Sequence, residues 1–144
     1  MRRRWHKFRA LPGREQALAL EAAVWLTLAA PLLALLPFRH MARWLGNLDG
    51  EMEAETDPTR SRAVGRAVER AARHLPWHPL CLPQALAARA MLRRRGIPST
   101  FYFGMRLEGT DRAMRAHAWV TTGSTGVVGV PAAGEFTVLA RYSR

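Results

Sequence analysis

The chain has 144 residues, 49% of them hydrophobic and 23% charged, with a formal net charge of +11. That length and balance exclude wholesale disorder and leave room for one domain with a sizeable core. One cysteine and five scattered histidines exclude a disulfide framework and a cysteine-rich zinc site and fit a reducing compartment; the charge calls for an acidic partner, an anionic membrane surface or nucleic acid.

Residues 1–48 read as a basic arm followed by apolar helices. Arg2, Arg3, Arg4, Lys7, Arg9 and Arg14 are interleaved with Trp5 and Phe8, a mixture that suits a solvated tail, a membrane interface or a phosphate backbone. No recognised nucleic-acid motif accompanies it, and nucleic acid is not expected as a partner. Ala17 to Leu36 is the most apolar stretch, with Glu21 as its only charge. Its length suits a membrane span. Glu21 inside it argues against one, and Pro31 is expected to break the helix past its midpoint. Ala19-Leu20, Ala23-Val24 and Thr27-Leu28 recur at helical spacing, so the favoured reading is a helix packed on the core or a partner, with peripheral membrane contact as the alternative.

Pro37 to Gly46 reads as a short helix closed by glycine, with His40 on its surface. The acidic run 49–58 reads as a solvated linker, leaving 59–144 as the main domain. Asp57 or Thr59 caps a helix over Arg60 to Leu75, whose stripe is Ala63-Val64, Ala67-Val68 and Ala71-Ala72. Then comes a loop with Pro79, and a helix that Cys81 opens, Pro83 suits in its first turn and Gly96 stops. Positions 81, 85, 88 and 92 share one face, with Arg89 and Arg93 pointing elsewhere. The period then changes to two. Thr100 to Leu107, Ala116 to Thr121, Val127 to Val130 and Glu135 to Arg141 read as an antiparallel meander, with His117 and Trp119 on one face of the second strand and Ala118 and Val120 on the other. Helices first and strands afterwards make an α+β fold.

The candidate chemistry centres on Cys81. First-turn N–H groups of a helix are unpaired, carry the positive end of the dipole and favour an anion; they can also hold an oxyanion during acyl transfer. The nearest credible base is His117, on a later strand, the general pattern of thiol acyl chemistry. The bland alternative is a small buried cysteine. His74 and His78 neighbour Cys81 in sequence, but adjacency along the chain is not proton-transfer geometry. Trp77 and Trp119 read as core aromatics before cleft aromatics, and Gln84 as either a substrate donor or a solvent-facing residue.

The blocks W-x3-C-L-x-x-A-L-A at Trp77–Ala87, R-R-R-G-I-P at Arg93–Pro98, R-A-H-A-W-V at Arg115–Val120 and the F-T-V-L ending at Phe136–Leu139 together resemble the lasso-peptide biosynthesis B proteins. The closest likeness is to the stand-alone leader-peptidase half of split systems, over about residues 15–142. The resemblance implies N-terminal helices followed by a transglutaminase-like (papain-like) core, with the cysteine at a helix N-terminus packed on an antiparallel sheet. It implies removal of the leader from a ribosomally made precursor by Cys-His amide hydrolysis, with Cys81 as nucleophile and His117 as general base. The implied partners are the lasso precursor peptide, a leader-recognition protein and, at the next step, the lasso cyclase. No cofactor or metal is implied, and the location is the cytoplasm, membrane-associated if the apolar helix touches lipid.

The sequence departs from that family at the third catalytic group. The family carries an Asp about a dozen residues after the histidine, where this chain reads Gly126-Val127-Val128-Gly129-Val130. Glu135 or Asp111 substitutes, a backbone carbonyl orients His117, or the pair works alone; the last two are favoured, because neither acid is at the family position. Acyl transfer to an amine and a non-catalytic scaffold remain as competing functions.

Overall fold

The switch from alanine-rich helices to alternating strands becomes two layers in space. A computed structural model of the chain describes residues 2–50, 57–131 and 134–143, with side chains from residue 6 onward. The elements run α1 (Arg2–Arg9), α2 (Gly13–Leu35), α3 (Phe38–Leu45), β1 (Asn47–Leu48), α4 (Pro58–His74), α5 (Cys81–Arg94), β2 (Thr100–Glu108), β3 (Ala113–Thr122), β4 (Thr125–Val128) and β5 (Thr137–Ser143). Helices precede an antiparallel five-stranded sheet, the α+β order expected. Residues 51–56 of the acidic linker lie outside the described residues.

The strands do not form a meander. Their order is β1-β5-β2-β3-β4, so the last strand inserts between β1 and β2 instead of pairing with β4. A period of two identifies strands but carries no information about which strand is the neighbour. The short helix and the β1 strand bring residues 47 and 48 onto Ser143 and Tyr142, so segments on both sides of the linker share one sheet. They also share one core: Leu18, Ala22 and Leu26 of α2 and Leu45 of α3 cluster with Val64, Val68, Ala88, Met91, Phe101, Val120 and Tyr142.

Helix α4 forms as read. Asp57 is its N-cap, accepting the Thr59 N–H at 2.9 Å, and Pro58 occupies the first turn. Its small stripe lets it sit on β4 at glycine distance, since a Cβ on Gly65 would come within 2.0 Å of the Val127 carbonyl oxygen.

Helix α2 corrects two expectations. It continues through Pro31 to Leu35, because the proline forfeits only the hydrogen bond to the Thr27 carbonyl while packing on α4 and α5 holds the helix. Its buried face is Leu18, Ala19, Ala22, Leu26 and Ala29; of the proposed packing stripe Ala19 is buried and Ala23 packs against the core, while Leu20, Val24 and Leu28 are exposed. Composition in this helix is apolar nearly all round, so spacing alone did not distinguish the faces.

Glu21 holds α2 to the end of α5. Its Oε2 is 2.5 Å from Arg95 Nη2 and its Oε1 is 3.0 Å from Arg94 Nη1. The Arg95 hydrogen bond holds its carboxyl below the usual carboxylate range, helped by the charges of Arg95 and Arg94 and a hydrogen bond from Trp25, and opposed by burial. The folded pKa is therefore lower than the unfolded one. The stability this pair contributes is complete above the ordinary carboxylate pKa and is lost as pH falls through the depressed value. Thermal unfolding of wild type and Glu21→Gln should show a wild-type advantage of about 1 kcal/mol at neutral pH that vanishes on the acid side. An advantage that persists at low pH would refute the linkage.

Candidate active site

Cys81 is the first residue of α5 and is half-buried. Leu80 precedes it in extended conformation and provides no side-chain cap, so no side chain at the cap position takes up the first-turn N–H groups. The loop before it is tied down by Gln84, whose Nε2 donates to the Pro79 carbonyl at 2.7 Å. That makes Gln84 a loop brace, a use that neither sequence reading of it anticipated. His78 has φ +43°, a left-handed conformation uncommon for a side-chain-bearing residue, and its ring is exposed, as is Trp77 at 49%. Trp77 is thus not core. His74 is exposed on the last turn of α4, its Nδ1–H donating to the Arg70 carbonyl at 2.7 Å.

His117 lies on β3 in register with Gly104 of β2. Alternation separates the faces as expected: Ala118 and Val120 enter the core with α5, and His117 shares the other face with Trp119. The Trp119 ring lies over Gly104, where a Cβ would come within 2.9 Å of it, and stacks on Tyr102 at 5.3 Å between centroids. The imidazole stacks on Trp119 at 5.8 Å and on Phe136 at 5.0 Å. Two aromatic neighbours fix the plane of the ring.

The ring is then fixed in rotation. His117 Nε2 is 2.5 Å from the Gly129 carbonyl oxygen, twelve residues along the chain. A carbonyl can only accept, so Nε2 carries the hydrogen and, in the neutral ring, Nδ1 keeps the basic lone pair. Gly129 has φ +69°, and a Cβ there would approach the Ala118 carbonyl oxygen to 3.1 Å. The glycine thereby supplies a conformation and a close approach that other residues resist. Of the groups weighed for orienting His117, the structure supplies the backbone carbonyl. Glu135 is engaged with Arg106, and Asp111 Oδ1 accepts the Ala113 N–H within the β2–β3 turn at 3.4 Å. Gly129, Phe136 and Gly104 were not anticipated as site residues.

Among the described residues no hydrogen bond or ring contact joins Cys81 to His117, whose partners are Gly129, Trp119 and Phe136. Cys81 stands roughly 20 Å from Arg94 along the helix axis, and Gly104 about 13 Å from Thr100 along β2. Both lengths lead away from the 95–99 turn that joins α5 to β2. β4 pairs with β3 only from Val120 to Thr122, so the part of β3 bearing His117 is flanked there by the Gly129 turn.

A helix-opening cysteine packed over an antiparallel sheet with a tautomer-fixed histidine is a layout suited to thiol-dependent acyl chemistry. The model of the transglutaminase-like superfamily matches residues 23–141. The chain belongs to the transglutaminase-like superfamily, whose members are generally cysteine-dependent enzymes built on a papain-like peptidase or acyltransferase fold. No curated protein matches the chain significantly, and no solved structure does.

Proposed function

We propose that the chain is a cysteine peptidase that removes the leader from a lasso-peptide precursor before a separate cyclase closes the macrolactam. The observation that carries this reading is the hydrogen bond from His117 Nε2–H to the Gly129 carbonyl, which leaves Nδ1 as the proton acceptor in a family of thiol enzymes. Cys81 Sγ attacks the scissile carbonyl as His117 Nδ1 takes the thiol proton. The oxyanion is held at the mouth of α5, with the Cys81 N–H as one donor. His117 returns the proton to the leaving amine, which departs with the core peptide, and the leader remains as a thioester. Water, deprotonated by His117, then cleaves the thioester, and the thiol is restored.

The motifs at Trp77–Ala87 and Arg115–Val120 support leader removal over other amide hydrolysis, and a small leader-recognition protein would present the precursor. The test is mass spectrometry of the cognate precursor incubated with that partner and this protein. Wild type is expected to cleave one bond and Cys81→Ala none. Equal cleavage by both would remove Cys81 from the mechanism. Product joined to an amine instead of water would establish acyl transfer, and a wild type that leaves the presented precursor intact would favour a scaffold.

A further inference from the structure

Helix α2 has a second apolar face that the fold does not use. Leu20, Val24, Leu28, Leu32 and Leu35 are between 43% and 80% exposed, and their spacing puts them on one stripe. The stripe continues onto α3, where Phe38 and Trp44 are exposed, across an apolar hollow lined by Trp25, Leu36 and Met41. Among the described residues α2 is the one helix long and apolar enough to cross a membrane, yet only 22% of its apolar window is buried. A core helix of that composition would be mostly covered by its own domain.

Charge indicates what covers it. Lys7, Arg9 and Arg14 are exposed ahead of the stripe, and Arg39 and Arg43 after it. The two carboxylates of α2 are engaged by arginines: Glu15 by Arg70 at 3.2 Å, and Glu21 by Arg94 and Arg95. An apolar strip with cationic ends matches an anionic lipid surface. A second copy of a chain of net charge +11 would bring like charges together at both ends. Those ion pairs, and the burial of Leu18, Ala22, Leu26 and Ala29, also keep α2 in the domain, so crossing a bilayer would require taking the core apart. We propose that the α2–α3 face docks on an anionic membrane surface, with α2 lying in the plane of the headgroups. This holds whether or not the chain is a peptidase.

The test is co-sedimentation of the full chain with vesicles of phosphatidylcholine alone and of phosphatidylcholine mixed with phosphatidylglycerol. Wild type is expected on the anionic vesicles, with binding that weakens as salt rises. A Val24→Glu/Leu28→Glu variant should lose at least about tenfold in partitioning, with unfolding temperature unchanged because both positions are exposed. If that variant misfolds, Arg39→Gln/Arg43→Gln carries the test through the loss of preference for anionic over neutral vesicles. No binding of wild type, or equal binding by wild type and both variants, overturns the proposal. A wild-type dimer in solution that the α2 variant returns to monomer, without vesicle binding, would overturn it in favour of a second copy.

Discussion

A His117→Ala variant is expected to cleave precursor at least about a thousandfold more slowly than wild type and to remain folded. Its ring makes one hydrogen bond, to Gly129, and stacks on Trp119 and Phe136. Losing these costs about 1–2 kcal/mol, well within the stability of a domain this size. The catalytic loss is larger because in the proposed mechanism the imidazole acts twice, accepting the thiol proton before acylation and activating water afterwards. Cysteine and histidine that act as a unit are not additive, so Cys81→Ala/His117→Ala should be no slower than Cys81→Ala alone. Single-turnover rates with the partner protein check both statements. A rate for His117→Ala within tenfold of wild type, with the fold verified by thermal unfolding, would place the base elsewhere.

Replacing Arg89 by alanine should have the largest effect on stability. Arg89 is 3% exposed. Its Nη1 donates to the Ser99 carbonyl and, at 2.9 Å, to the Ser99 hydroxyl, and its Nη2 donates to the Leu45 carbonyl at 2.6 Å. One planar group therefore joins the end of α3, the middle of α5 and the entry to β2. Truncation leaves buried acceptors unpaired and a void, a cost of about 3–5 kcal/mol, or roughly 10 °C in unfolding temperature. Arg89→Lys should recover only part of this, because an ammonium cannot match the fork of a guanidinium. Calorimetry checks it, and an Arg89→Ala unfolding temperature within about 2 °C of wild type would refute the role.

Arg89 also marks where sequence reading stopped short. A helical wheel places it off the apolar face of α5, and there it would be solvated. In the fold, every residue from Ala85 to Leu92 is buried, because α2, α4 and the sheet all close on this helix. Periodicity describes one face and is silent on how many neighbours a helix has. On β3 only the two faces of a sheet matter, and the separation of His117 and Trp119 from Ala118 and Val120 was legible. The limits of α5 were legible too: Gly96, with φ +63°, follows its last turn. The orienting group of His117 was not. A missing carboxylate can be seen in the letters of a sequence, whereas a backbone carbonyl belongs to every residue and gains its role only from the turn that aims it.

The placement of β5 sets the timetable by which this protein matures during synthesis. The last of the five described strands to be made occupies an interior position, pairing with β1 on one side and β2 on the other. Until the ribosome has released it, β1 has no partner and β2 presents a bare edge to other nascent chains. Phe136, at its threshold, is also the ring that stacks on His117. Cys81 is thus left without its finished histidine environment until β5 has been made, and the site is complete only when the sheet closes.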